Sequence, residues 1–165
     1  MSRDNELSPL HAFHFQVDFD EDSLARRGGG SIPLCSGAFS ECTGLEATME
    51  PKVIKEGGRN YGPAQRAGMV TFATVVLKRG VTPTRHLWQW FELLTLKGGY
   101  AQRLAATVTL YDGAGEGVLA WKLEKALPVK FKAGDLNARS SDVAVEELHL
   151  AHEGLTSATP RPKSV

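Results

Sequence analysis

Hydrophobic and polar positions alternate along most of this chain, the signature of strands that bury one face. From Ala12 to Phe19 the alternation is strict: Phe13, Phe15, Val17 and Phe19 fall on one side, and His14, Gln16 and Asp18 on the other. A second strand region spans Cys35 to Thr48. There Phe39, Cys42 and Leu45 are the expected core contributors, and Gly37 and Gly44 mark bulges or bends. Met69 to Leu77 is an unbroken β-branched run that stops at Lys78-Arg79-Gly80. Leu104–Tyr111 and Val118–Glu124 flank a glycine-rich turn opened by Asp112-Gly113, a strong hairpin signal. Val129–Phe131 follows Pro128, which suits an edge or a strand start, and Val143–Glu153 is the last expected strand.

One segment carries a helical period. Leu87, Trp90, Phe91 and Leu94 recur at i, i+3, i+4 and i+7 and form a single apolar stripe, expected to be core. Arg85, Gln89 and Glu92 lie off it and form the outward face; Trp88 is off the stripe too, as a second contact or an exposed anchor. Thr82 as N-cap, Pro83 at the first helical position and Gly98-Gly99 as the stop bound this helix at about 83–97.

Met49 to Gly68 follows neither period. It has short extended pieces, a Gly57-Gly58 pair, a second breaker at Gly62-Pro63 and little apolar material, and it is longer than most connections. Two readings stand side by side: a mobile surface hairpin, or an arm ordered only against a partner. Asp20–Ser31 is polar and ends in three glycines, and with no helical pattern after it the loop is not a phosphate cradle. The sum is a mostly β, antiparallel barrel or sandwich of about seven strands with one α-helix and an extended loop arm at about 49–68. The chain reads as one domain over 1–155, followed by a disordered tail over 156–165 that contains Pro160 and Pro162.

Composition narrows the function classes. Nineteen basic and nineteen acidic side chains cancel, so no global field draws the protein to nucleic acid or an anionic membrane. No apolar signal-peptide core follows the N-terminus and no stretch approaches the roughly 20 apolar residues of a bilayer span, so synthesis in the cytoplasm is expected. Cys35 and Cys42 are too few for a disulfide framework and too far apart for a zinc or redox motif; they read as reduced, packed thiols. The pairs His11/His14 and His149/His152 are three apart, an odd spacing that puts strand neighbours on opposite faces and does not suit a shared metal. Ser36 lacks the flanks of a nucleophile elbow. Glu146-Glu147 point apart on a strand and form no acid–base couple, though whichever faces inward needs a partner, which a polar lumen or a subunit interface would supply. Lys78-Arg79, Lys130 and Lys132 are isolated and make no nucleic-acid patch. No enzymatic activity, cofactor or metal is expected.

The order of landmarks resembles the tail-tube (inner tube) proteins of contractile phage tails and related bacterial injection particles. The resemblance is carried by Phe13-His-Phe-Gln-Val17, Cys42-Thr-Gly-Leu45, Lys55-Glu-Gly-Gly-Arg-Asn60, Val76-Val-Leu-Lys-Arg-Gly80 and Leu87-Trp-Gln-Trp90, then by Val108-Thr-Leu-Tyr-Asp-Gly113, Trp121, Ala126-Leu-Pro128 and Val145 to Leu155. It implies a structural subunit assembled as homo-hexameric rings that stack into a hollow tube. A sheath protein would surround the tube, baseplate or spike and cap proteins would end it, and DNA or a protein cargo would fill the lumen. It further implies assembly in the cytoplasm and release as an extracellular particle or virion. Lys55, Glu56, Gly57, Gly58, Arg59, Asn60 and Tyr61 would be the arm that makes inter-subunit and ring-stacking contacts, and the polar strand faces would line the bore. A secreted hexameric ring protein of the type VI secretion kind shares this architecture, and a monomeric ligand-binding β-barrel is the alternative outside it.

Overall fold

The computed structural model describes residues 14–21, 39–96 and 103–163. In chain order these carry β1 (Phe15–Glu21), β2 (Glu41–Thr43), β3 (Ala47–Met49), β4 (Lys52–Ile54), β5 (Ala64–Arg66), β6 (Val70–Phe72), β7 (Val75–Gly80), α1 (His86–Thr95), β8 (Leu104–Tyr111), β9 (Gly117–Lys132), β10 (Val145–Ala151) and β11 (Gly154–Ala158). The expectations for Phe13, Cys35, Ser36, Gly37, the Gly28–Gly30 loop and the Gly98-Gly99 stop lie outside the described residues.

Seven of the strands form one antiparallel sheet that folds on itself along β9. The first half of β9 pairs with β8 and β11, and β8 pairs in turn with β1. The second half pairs with β10, which pairs with β7, which pairs with β2. The change of direction has a local cause. Ala106 faces Leu123 but Leu104 faces Ala126, so β9 carries an extra residue there, and Lys125 sits nearby at φ 50°. A bulge of this kind bends a strand and sharpens its twist. Pro128 is tolerated within β9 because, past Ala126, only β10 pairs with it among the described residues.

The two halves close over one core. Val17 and Phe19 of β1, Ala106 and Val108 of β8 and Leu123 of β9 meet Val75 and Leu77 of β7 and Leu148 and Leu150 of β10, all at most 1% exposed. The helix fills the remaining side. Trp90 stands edge-on to Phe19 with centroids 5.4 Å apart, and Phe39 packs on the same ring at 6.4 Å.

Several boundaries differ from the sequence expectations. The Met69–Leu77 run is two strands, broken at Ala73-Thr74, because the Thr74 carbonyl lies against Gly44 of the preceding crossing. Lys78-Arg79-Gly80 extends β7 rather than ending it. The helix starts at His86, three residues later than Pro83 suggests. Arg85 occupies the cap without a side-chain capping bond, and the Thr82 hydroxyl pairs with the Thr84 hydroxyl at 2.7 Å. The tail from Thr156 is no loose end: Gly154–Ala158 pairs with β9 from Glu124 to Ala120. Beyond it Arg161 forms a bidentate ion pair with Asp20 of β1.

Candidate assembly surfaces

Three surfaces remain once the core is accounted for. The first is the segment between β2 and β7, which the structure resolves as a β-ribbon. Ala47, Thr48 and Met49 pair with Phe72, Thr71 and Val70, and Lys52, Val53 and Ile54 pair with Arg66, Gln65 and Ala64. From Ala47 to Ile54, where the tip begins, the ribbon spans roughly 25 Å at about 3.3 Å per residue. Between Glu46 and Thr71 no residue is buried, and only Ile54, Ala64 and Gly68 are half-buried. Its strands cross tightly: a Cβ on Gly68 would fall 1.7 Å from the Glu50 carbonyl oxygen. The tip residues Lys55, Glu56, Gly57, Gly58, Arg59, Asn60 and Tyr61 are all exposed, Tyr61 at 99%, and Arg59 pairs with Glu56 inside the turn at 3.5 Å. Apolar side chains share this exposure: Met49, Val53, Met69 and Val70 are each 47–75% exposed.

The second surface is the helix. Leu87, Trp90 and Leu94 are buried, and Arg85 and Gln89 are exposed, while Glu92 is half-buried. Phe91 departs from the expected core stripe. It is half-buried and lies 5.7 Å from Trp88, whose ring stands 5.6 Å from Phe131 of β9; Leu93 packs on the core instead. The result is a half-open aromatic row beside the second half of β9.

The third is the outer face of the sheet half β2-β7-β10-β9. Side chains directly opposite one another share a face. The registers Glu41↔Lys78, Lys78↔Glu147 and Glu147↔Lys132 therefore set four charges of alternating sign in one row. Lys78 Nζ donates to both Glu41 oxygens at 3.1 and 3.2 Å, and Lys132 Nζ donates to Asp135 at 3.1 Å. The Lys132 ammonium is held above its usual range by the hydrogen bond to Asp135, then by that carboxylate's charge and that of Glu147. Lys78 and Arg79 are thus not isolated. Glu146, which points inward, finds its partner within the chain rather than in a lumen or interface: Arg79 Nε donates to it at 2.5 Å. Both are nearly buried, and the Arg79 guanidinium also stands 5.8 Å from the centroid of the Phe39 ring.

Elsewhere the polar groups hold structure together. Hydrogen bonds from Arg103 and Lys125 keep the Glu153 carboxyl below its usual range. Burial pushes the Cys42 thiol up to about 11, which leaves it protonated and unreactive near neutral pH. His149 lies 3.4 Å from Glu147, and His152 contacts the Phe72 ring and the Gly154 carbonyl. Among the described residues no three His, Cys, Asp or Glu side chains gather as a metal set.

A self-paired ribbon, a folded sheet whose edges at β2 and the second half of β9 have no further partner among the described residues, and a buttressing helix describe a part made for assembly. Comparison with known proteins decides which assembly. Residues 11–156 match the family described as T4-like virus tail tube protein gp19. The chain belongs to this family. Among solved structures it is similar to a chain of the anti-feeding prophage baseplate, six-fold symmetrised, with a TM-score of 0.76 and 28% identity over 92% of this chain and 96% of that one. A chain of the sheath–tube complex of the extracellular contractile injection system PVC, in its extended state, superposes with a TM-score of 0.75 at 20% identity over 96% and 99%. A chain of the anti-feeding prophage cap superposes with a TM-score of 0.72, also at 20% identity, over 92% of each chain. Curated protein sequences gave no match. The chain is accordingly a structural subunit of a tube, mostly β with a single helix among its described residues.

Proposed function

We propose that this protein is the repeating subunit of the inner tube of a contractile tail or injection particle, six copies to a ring and ring upon ring. A sheath surrounds the tube, baseplate or spike and cap proteins close its ends, and the bore conducts DNA or holds a protein cargo. The chain is made and assembled in the cytoplasm and leaves it inside the finished particle. Its task is mechanical. Contraction elsewhere drives the tube forward, and this subunit supplies stiffness, a bore and contact surfaces, without catalysis. The ribbon carries the reading: it projects apolar side chains from a well-filled body, a cost that disappears when a neighbouring subunit covers them. A head-to-tail contact of that kind is heterologous, closing into rings or opening into stacks.

Three experiments test it. Negative-stain electron microscopy of the purified protein or its parent particle should show rings or tubes, and monodisperse monomers at every concentration would refute the proposal. Co-purification with sheath in whole particles, rather than free rings in the medium, separates a particle tube from a secreted ring. Deleting Gly57–Gly62 should leave the circular-dichroism spectrum intact, because the tip contributes nothing to the core, and should abolish polymerisation.

A further inference from the structure

The ribbon brings no buried residue of its own, so its direction is set where it leaves the body. At that root its two chains first brace each other. The Ala73 N–H donates to the Glu46 carbonyl at 3.2 Å, and the Thr74 carbonyl lies against Gly44. Phe72, the last residue of β6, reaches a different part of the body. Its ring stands 5.2 Å from that of His152, centroid to centroid, with the planes 43° apart. Such a separation lies in the range of favourable ring pairs. His152 sits in the short turn between β10 and β11, and this turn is tied down on several sides. The Glu153 N–H donates to the Glu124 carbonyl at 3.0 Å, beside the bulge where β9 bends, and Arg103 and Lys125 hold the Glu153 carboxylate. The imidazole is fixed as well. Its Nδ1 lies 2.9 Å from the Gly154 carbonyl oxygen, an acceptor, so Nδ1 carries the donated hydrogen. Nε2 is buried and, among the described residues, has no hydrogen-bond partner. A buried unpaired nitrogen is a cost that a plain phenyl ring would avoid. Histidine, however, can hydrogen-bond the turn and present a flat face to Phe72 at the same time.

We propose, building on the ring reading above, that His152 is a positioning residue for assembly: its locked ring sets the angle at which the ribbon leaves the body. The ribbon is a long arm, so a small error at the root grows toward the tip. Over a length of roughly 25 Å, a tilt of about 10° moves the far end by about 4 Å. That equals the whole contact distance between two apolar side chains, ~4 Å. The exposed Met49, Val53, Met69 and Val70 can meet a neighbouring copy in one register only if this tilt is suppressed. Suppressing it in the free subunit removes an ordering cost from the association step, which is how preorganisation raises affinity. The anchor suits this task for a second reason. Its turn joins β10 of one sheet half to β11 of the other, at the bend of β9, so the ribbon is aligned to the frame of the whole body rather than to one strand.

Two substitutions in the full-length chain separate the ring face from the turn's hydrogen bond. His152→Asn keeps a donor for the Gly154 carbonyl and removes the face toward Phe72; His152→Phe keeps the face and removes the donor. Amide hydrogen exchange on the dilute, unassembled protein reads the ribbon directly. In His152→Asn the Ala73 and Glu50 amides, bonded to Glu46 and Met69, should exchange severalfold to roughly tenfold faster, while β8 amides keep their wild-type protection. The protein concentration needed for rings or tubes in negative stain should rise by roughly fivefold to tenfold. His152→Phe should restore both readouts most of the way to wild type. Phe72→Ala should reproduce the His152→Asn result, and the two together should do no more than either alone, as residues acting through one contact do. This second route keeps the test decisive even where His152→Asn fails to fold. Root amides and an assembly concentration unchanged from wild type in His152→Asn and Phe72→Ala would overturn the positioning role and leave the ring reading standing, and so would a His152→Phe variant as impaired as His152→Asn. A wild-type protein that forms no rings would overturn the ring reading, and the exchange rates would still decide whether His152 holds the ribbon.

Discussion

The body and the ribbon use the same backbone hydrogen bonding to opposite ends. In the body, β8 is paired on both sides, and seven of its eight residues are buried. In the ribbon, β3 to β6 are paired only with one another among the described residues, and none of their residues is buried. An isolated two-stranded hairpin is marginal in water because its ladder brings no apolar cover. The difference shows that strand pairing gives shape in both regions, whereas burial gives stability in only one. The body therefore specifies its own fold, and the ribbon depends on its root and on what it meets.

The sharpest break in that comparison is a core truncation. Trp90 is 1% exposed and packs on Phe19, so Trp90→Ala should cost roughly 3–5 kcal/mol in chemical denaturation. Phe91→Ala, from a half-buried ring stacked beside Trp88, should cost clearly less. Val53→Ser in the ribbon should change stability by no more than about 0.5 kcal/mol. Equal losses at Trp90 and Val53 would mean that the ribbon shares the core's cooperativity.

The next test concerns the most deeply sunk ion pair among the described residues. Glu146→Ala leaves the Arg79 guanidinium nearly buried without its carboxylate and should cost about 3 kcal/mol. Replacing both with apolar residues of similar volume should restore most of that loss, because the desolvation of both charges disappears together. Failure of the double replacement to recover would show that the pair does more than neutralise itself.

These residues also show how far the sequence could be read. The one-sided strands were legible because Phe15, Val17 and Phe19 obey a period of two, and the helix stripe was legible because Leu87, Trp90 and Leu94 obey a period of 3.6. What escaped was decided by distant contacts. Nothing near Ala73-Thr74 announces a break, since the carbonyl that forces it packs on Gly44, thirty positions earlier. Thr82-Pro83 has the composition of a helix start, yet the Thr82 hydroxyl is taken by Thr84 and the helix waits until His86. Phe91 fits the stripe by spacing but is drawn to an aromatic neighbour. Pro160 and Pro162 suggest a loose tail, and β9 captures the strand just before them. The arm was visible as a composition change, but its double ladder was not, because register is a property of pairs. The charged row across four strands was hidden for the same reason.

A smaller effect should come from glycines at the two ends of the ribbon. Gly44 stands at its root with φ +86°, and a Cβ there would fall 2.1 Å from the Thr74 carbonyl oxygen. Gly44→Ala must shift the backbone crossing that separates β6 from β7, at a cost of about 2–3 kcal/mol. Gly57 at the tip has open space around it, so Gly57→Ala should be neutral within about 0.5 kcal/mol. The contrast is measurable by thermal melts of the two variants, and a costly Gly57→Ala would show that the tip is built into the body after all.

The smallest effect concerns the far end of the chain, which tests whether the body–ribbon division is complete. Arg161 reaches back to Asp20, and both side chains are about two-fifths exposed, so the pair works partly in water. Its hydrogen bond to Asp20 and that carboxylate's charge raise the Arg161 pKa further, so the guanidinium stays charged at every pH at which the protein is handled. Arg161→Ala should therefore lower stability by only about 0.5 kcal/mol, and the difference should vanish in 1 M salt, where charges are screened within about 3 Å. The backbone beyond β11 also packs over Gly117, where a Cβ would come within 2.8 Å of the Arg161 carbonyl oxygen, so truncation after Thr159 should exceed the point mutation. Both changes act on the subunit's own sheet. Rings should thus form from Arg161→Ala at nearly wild-type concentrations, in contrast to deletion of the ribbon tip. A tail variant that stayed folded but failed to assemble would make the C-terminal segment a second arm, and the division between a self-sufficient body and one dependent ribbon would have to be redrawn.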